Sequence, residues 1–406
     1  MPPFLINKGN VIQYEELLVD VNKSKIYNPT FISNDLYSFF LNFIVAIASG
    51  NNIVLLDSDL SSYELANAGL GDDINTEKEI QPLYFTTIEE LVMRIISSKS
   101  EVTIFTSGTT GQPKKIIHSI TTLTKSVRKS EQNTKRVWGF AYNPTHIAGL
   151  QVFLQALFNE NTLINIFNAS RGEVYEAIEK HSITNLSATP TFYRLLLPFE
   201  KEFLTLKRIT LGGEKSDGKL YENIIRIFPN AKINNIYAST EAGSLLISSG
   251  EFFMIPTEFK DKYKIDNQEL LICKSLLGQS QNLIFEDGYY RTGDLIEFID
   301  ESNIFFRFIS RKNELINIGG YKVNPSEVEQ AILNINEIQQ VIVYGKPNSV
   351  LGNILCAEIK LMDGTCIDET KVRSYLSDTI QDFKIPRRIK FVDSFSLTRT
   401  GKLKRL

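Results

Sequence analysis

Residues 102–117 (V-T-I-F-T-S-G-T-T-G-Q-P-K-K-I-I) constrain this chain more than any other stretch. A short β-prone run gives way at Ser107 to a segment, ending at Gly111, that is only Ser, Gly and Thr. Glycine lets the backbone turn tightly and approach a ligand closely, and successive N–H groups in such a turn form a concavity for an anion. The hydroxyls of Ser107, Thr109 and Thr110 and the charge of Lys114 complete an inventory for holding a polyphosphate. Pro113 removes one backbone donor and biases Gln112 towards extended geometry, and β-branched Ile116 and Ile117 follow. The expected order is strand, loop, strand. The P-loop G-x-x-x-x-G-K-[ST] instead runs straight into a helix. Taken alone, the stretch also suits a surface Ser/Gly hairpin, so other motifs have to decide.

T-S-G-T-T-G-x-P-K resembles the phosphate loop of the adenylate-forming superfamily: acyl-CoA synthetases, peptide-synthetase adenylation domains and luciferases. Further motifs follow in that family's order. N-P-T-H-I-A-G-L (143–150) is similar to the P-x-x-H-x-x-G-L of acyl-CoA synthetases, which places His146 at the mouth of an acyl pocket. Gly212-Gly213-Glu214 closes a predicted strand where the family seats adenine. N-I-Y-A-S-T-E (235–241) resembles N-x-Y-G-x-T-E. There the resemblance implies Tyr237 against the adenine, Thr240 on the α-phosphate and Glu241 on Mg²⁺, an ion that takes only one or two protein carboxylates. Y-R-T-G-D (290–294) matches the motif whose Asp, here Asp294, grips the ribose hydroxyls, and Arg311 matches an Arg that reaches the same ribose. T-R-T-G-K-L (398–403) resembles the terminal motif whose Lys, here Lys402, bridges carboxylate and α-phosphate.

The implied fold class is α/β: a large N-terminal domain of layered sheets and helices, residues 1–311, binds ATP and acid. A small α+β C-terminal domain, residues 312–406, turns on a hinge at Asn313. Thr106, Ser107, Gly108, Thr109, Thr110, Gly111 and Lys114 would hold phosphates, with Gly213, Glu214, Tyr237, Asp294 and Arg311 on the nucleoside. Gly319 and Gly320, in G-G-Y-K-V-N-P-S-E-V-E, resemble the CoA-ligase form of a motif that approaches the thiol. The resemblance is to acyl-CoA synthetases of the o-succinylbenzoate– and 4-coumarate–CoA ligase type. It implies ATP, Mg²⁺ and CoA, with a carrier-protein phosphopantetheine as the alternative acceptor and a non-catalytic nucleotide-binding homologue as the reading outside catalysis.

Four departures from the family pattern stand out: Ala238 for Gly, Asn313 for the usual hinge Asp or Lys, Lys115 for a small residue, and few residues before the loop, so that the N-terminal region reads as abbreviated. No Asp lies between Trp138 and Gly149 to pair a substrate ammonium, and an unpaired buried ammonium is costly, so amino-acid substrates are disfavoured. Pocket walls are expected from residues 146–153, 189–192 and 212–246, whose apolar character favours an aromatic or medium aliphatic acid.

The chain of 406 residues is long enough for more than one core, and a net charge of −3 gives no basic excess for nucleic acid. Three scattered cysteines form no disulfide or zinc pattern, which reads as a cytoplasmic protein. The most membrane-like run, residues 39–48, is far short of a span of roughly 20 residues and reads as a buried helix. A polar-faced helix is expected over residues 121–132 and another over 369–380.

Overall fold

The structure, a computed structural model, describes residues 2–58, 60, 65, 69–70, 74–106, 114–199, 201–248, 250–280, 283–300, 304–318, 321–348, 352–397 and 403. Helix Leu36–Ala48 is apolar on nearly every side from Phe39 on, Asn42 excepted, so it has to lie inside. Ten of its 13 residues are buried, and Asp35 caps it by accepting from the Ser38 N–H. Its buried Asn42 is satisfied by the N–H and carbonyl of Asn28, at 2.8 and 3.0 Å. No helix among the described residues is long and apolar enough to cross a membrane. Phe40 stacks on Phe153 with ring centroids 4.1 Å apart, and Phe4, Phe43 and Phe140 pack edge-on around that pair. This aromatic cluster fixes the N-terminal helix against helix Ile147–Leu157, which walls the site.

The main sheet has eight strands in the spatial order Gly243–Ser248, Lys232–Ser239, Arg208–Gly212, Asn185–Ala188, Val137–Phe140, Thr162–Asn165, Pro3–Asn7 and Asn10–Gln13. The six interior strands run parallel, with an antiparallel strand at each edge. Parallel strands are covered on both faces and so carry apolar side chains on both; all four residues of Asn185–Ala188 are buried. From Val137–Phe140 the chain proceeds to one side, to Thr162–Asn165, and then returns to place Asn185–Ala188 on the other side. That reversal is a topological switch point, where open α/β sheets bind ligands beyond the carboxyl ends of the strands.

A four-stranded sheet (Thr30–Phe31, Ile53–Leu55, Glu101–Thr106, Lys114–Ser119) carries the two expected strands; the loop expected between them, residues 107–113, lies outside the described residues. Its last two strands are antiparallel and pair Thr106 with Lys114. An antiparallel sheet follows, in which Tyr289–Phe298 lies between Glu269–Cys273 and Phe305–Arg311. The R-T-G-D motif therefore sits inside a strand. Beyond Arg311 comes a small α+β unit: helix Pro325–Leu333, antiparallel strands Ile338–Asn348 and Gly352–Leu361, helix Glu369–Ser377 and the parallel strand Arg388–Phe391. Its own core includes Val328, Ile332, Val343, Ile359 and Leu376. Lys219 ties it to the large unit by donating to the Leu333 and Ile335 carbonyls at 2.5 and 3.1 Å, at the carbonyl-rich end of a helix.

Two expectations fail locally. The helix expected over residues 121–132 is only Ile120–Thr124; side-chain amides on and just beyond helix Ile147–Leu157 take backbone donors that would extend it. Gln155 Oε1 accepts from Arg128 N–H at 3.0 Å and Asn159 Oδ1 from Ser130 N–H at 3.1 Å. The helix expected to reach residue 380 stops at Ser377, where the N–H groups of Thr379 and Ile380 both turn to the Leu376 carbonyl.

Candidate active site

A cleft of about 1340 Å³ opens beyond the carboxyl ends of the parallel strands, between the large unit and the small one. It exceeds the range of a single small-ligand pocket, roughly 300–1,000 Å³. His146, Gly213, Glu214, Tyr237, Thr240, Glu241, Asp294, Arg311 and Asn313, far apart in sequence, all line it. Ser107, Gly108, Thr109, Thr110, Gly111, Gly319, Gly320 and Lys402 lie outside the described residues, as do the side chains of Thr106 and Lys114. Leu403 lines the cleft.

Asp294 is the best-defined group. Its carboxylate is buried and accepts from Tyr237 Oη at 2.6 Å and from Arg311 Nε at 2.7 Å. Its backbone is set by its neighbours: Gly293 takes φ +75°, where L side chains are strained, and donates its N–H to Glu269 Oε1 at 2.9 Å. Arg291 is engaged by Glu269, Asp266 and Glu286 at 3.0, 2.5 and 2.9 Å. Burial, then the charge of Asp294 and the bond to it, push the Tyr237 hydroxyl well above its ordinary pKa, so it stays a donor. Burial alone would lower the Arg311 pKa, but Asp294 more than offsets this and the net shift is upward. The Tyr237 ring lies on Phe308, centroids 4.3 Å apart.

At the end of strand Arg208–Gly212, Gly213 takes φ +85° and Glu214 turns back to accept the Thr191 N–H at 2.9 Å, at the start of helix Pro190–Leu195. The turn after Lys232–Ser239 is held from its far side. His118, on the strand that leaves the phosphate-loop motif, brings Nε2 to 2.7 Å from the Thr240 carbonyl, and the Gly278 N–H donates to the Glu241 carbonyl at 2.6 Å. A carbonyl only accepts, so Nε2 carries the proton. Gly278 leaves the room this requires, since a Cβ there would lie 2.8 Å from the His118 ring. With its backbone so fixed and its side chain on the cleft, Glu241 fits the single carboxylate that Mg²⁺ needs beside phosphates and water.

His146 is the N-cap residue of helix Ile147–Leu157. Its Nε2 stands 3.6 Å from Asp57 Oδ2, and Asp57 also accepts from Asn143 Nδ2 and Thr145 Oγ1 at 2.5 and 2.6 Å. The loop that presents His146 is thus tied to the end of strand Ile53–Leu55. Asp57, His118 and Glu269 were absent from the sequence-based set. Asp57 reads in sequence as a strand stop. His118 follows the inward-facing Ile116 by two, the period of one strand face, but nothing local names its partner.

The wall expected to be apolar carries a polar group. Gln151 Oε1 accepts from Ser244 Oγ at 2.8 Å and its Nε2 donates to Ser126 Oγ at 3.2 Å, and all three residues line the cleft.

Two α/β units around one cleft, with a buried carboxylate held between Tyr237 and Arg311 on its wall, are the features to set beside known proteins. The "AMP-binding enzyme" family model matches residues 75–267 and the "AMP-binding enzyme C-terminal domain" model residues 327–402. The chain belongs to the adenylate-forming AMP-binding enzyme superfamily, whose members form acyl-adenylates from ATP. It is 25% identical to the 2-succinylbenzoate–CoA ligase of Staphylococcus epidermidis over 96% of this chain and 89% of that protein. With the Staphylococcus aureus (strain MSSA476) enzyme of the same name the match, 26% identical, covers 74% of this chain and 65% of the relative. The Bacillus subtilis o-succinylbenzoate CoA synthetase, solved with its acyl-adenylate OSB-AMP, superposes with a TM-score of 0.73 at 19% identity, over 99% of this chain and 94% of that one.

Proposed function

We propose that this chain activates a carboxylic acid with ATP and passes the acyl group to a thiol, CoA in the first instance. The observation that carries this reading is the Asp294 carboxylate, held between Tyr237 and Arg311 on the cleft wall. A buried carboxylate with fixed donors on either side suits a vicinal diol such as ribose, which can take its remaining lone pairs.

In the first half-reaction a carboxylate oxygen attacks the α-phosphorus, the bond to the β-phosphate breaks, and pyrophosphate leaves. Two anions meet, so the protein has to supply positive charge and position. Ser107, Thr109, Thr110 and Lys114 would hold the phosphates, Thr240 the α-phosphate, and Lys402 would stabilise the charge on the reacting phosphorus. Mg²⁺ on Glu241 would neutralise phosphate charge. In the second half-reaction a thiolate attacks the acyl carbon and AMP leaves. A turn of the small domain about Asn313 would withdraw Lys402 and bring Gly319 and Gly320 to the thiol; such hinged rearrangements are an established repertoire.

The test is a panel of carboxylic acids incubated with ATP and Mg²⁺, with CoA, with a holo-carrier protein, or with neither. Acid-dependent pyrophosphate release, with AMP and thioester formed only when CoA is added, is the expected result. Thioester on the carrier protein alone would reassign the acceptor, and nucleotide binding without pyrophosphate release from any acid would support the non-catalytic reading.

A further inference from the structure

Resting on the acid-activating reading above, we infer that the acid this enzyme selects carries an uncharged hydrogen-bonding group, a hydroxyl, ketone or amide, several bonds from its carboxylate, and that Gln151 with Ser244 and Ser126 recognises it. Helix Ile147–Leu157 lines the cleft along one face, where Gln151 stands beside Ile147, Ala148 and Val152. A polar side chain on such a face needs a reason, because an apolar acid tail would leave its spare donors and acceptors unsatisfied.

Three separate segments converge to build this spot. Ser244 donates to Gln151 Oε1 and Ser126 accepts from Gln151 Nε2. The third device is Gly243, which takes φ +65°. A Cβ there would stand 2.7 Å from Gln151 Nε2, so only glycine lets the carboxamide lie against this turn. The neighbouring amide, Gln155, is committed elsewhere, to the N–H and carbonyl of Arg128. Among the described residues Gln151 keeps one amide hydrogen, Ser126 its hydroxyl hydrogen and Ser244 acceptor lone pairs, so the group can meet either a donor or an acceptor. Gln151, Ser244 and Ser126 carry no formal charge, which suits a neutral polar group.

Distance along the helix sets the size. Gln151 lies five residues beyond His146, which is about 7.5 Å of axial rise at about 1.5 Å per residue. An acid whose carboxylate sits by His146 and whose polar atom is four to six bonds away, about that length, reaches the trio.

The experiment compares matched acids that differ by a hydroxyl for a methyl: 5-hydroxypentanoate against hexanoate, and 3-hydroxybenzoate against 3-methylbenzoate. Acid-dependent ATP–pyrophosphate exchange is measured for the parent, Gln151→Leu and Ser244→Ala, with melting temperatures to identify any misfolded variant. The parent is expected to favour the hydroxy acid of at least one pair by about tenfold in kcat/KM. Gln151→Leu should abolish or invert that ratio, and the milder Ser244→Ala should lower it. A parent that favours the methyl analogue in both pairs, or a hydroxyl preference that survives in both folded variants, overturns this inference and leaves acid activation standing. No exchange with these acids or with any acid of the wider panel, from a protein that still binds ATP, overturns the acid-activating reading and this inference with it.

Discussion

The His118 ring and the Thr240 carbonyl meet at 2.7 Å across 122 positions of sequence, joining the strand that leaves the phosphate-loop motif to the turn that carries Glu241. Together with the Gly278 N–H on the Glu241 carbonyl, at 2.6 Å, this bond fixes a turn that lines the cleft. The ring is fully buried, and its Nδ1 has no hydrogen-bond partner among the described residues, so a second proton there would place an unpaired charge inside the protein.

That burial gives stability a pH dependence of definite sign. Burial lowers the His118 pKa below its ordinary value of 6.5, against the opposing effects of the Thr240 bond and Glu241. The unfolded chain therefore takes up the proton first as pH falls. The contribution of His118 is fully present above its unfolded pKa and is lost as pH drops through the folded one. Urea denaturation between pH 7.5 and 5 should show the parent losing stability more steeply than His118→Gln. Parallel curves would mean that the ring does not titrate as its burial implies. At pH 7.5, His118→Ala should cost about 1–3 kcal/mol, the usual penalty for stranding a buried carbonyl.

Asp294→Ala removes the carboxylate that Tyr237 and Arg311 both address. The loss of a charged hydrogen-bonding partner should raise the KM for ATP by an amount equivalent to about 1.5–3 kcal/mol. A folded variant with the parental KM would remove Asp294 from nucleotide binding.

Asp57 should matter through His146. Asp57→Asn keeps the shape but removes the charge 3.6 Å from the imidazole. It should lower kcat/KM for the acid by about tenfold or more, as misplacing a positioned group does, and leave the KM for ATP near parental. His146→Ala should reproduce that pattern. If either variant melts far below the parent while its folded fraction stays fully active, the Asp57–His146 pair is a structural tie for the loop 143–146.

The two half-reactions should separate genetically. Lys402→Ala should abolish ATP–pyrophosphate exchange yet still form thioester from a synthetic acyl-adenylate and CoA. Asn313 is exposed within the short turn Lys312–Glu314, and proline there would fix φ and constrain Lys312. Asn313→Pro should keep adenylate formation and lose thioester formation. Electrostatic groups of this kind contribute about 3–4 kcal/mol to a transition state, a factor of roughly 10²–10³. Equal damage to both steps in Lys402→Ala would refute the division.

Much of this was legible in the chain because its signals are local. Pro113 and the β-branched residues after it marked the strand that leaves the motif, and the run 39–48, apolar but for Asn42, marked a buried helix. The nine cleft-lining residues from His146 to Asn313 were legible through motif order. What escaped is made of pairs remote in sequence. Asp57 meets His146, His118 meets Thr240, Glu269 meets Arg291 and Gln151 meets Ser244 only after folding. The overextended helix at 121–132 has the same origin. Its backbone propensity was sound, but Gln155 and Asn159 from another element took the donors.

The most direct test of acid activation follows an oxygen atom. The enzyme is given ATP, Mg²⁺, CoA and an acid that supports turnover, with the carboxylate labelled in both oxygens with ¹⁸O, and the AMP is analysed by mass spectrometry. If the carboxylate attacks the α-phosphorus and AMP then departs from the acyl carbon, each AMP carries one ¹⁸O. Unlabelled AMP, or ADP in its place, would contradict the account, because the acid would then have been activated without passing through an acyl-adenylate.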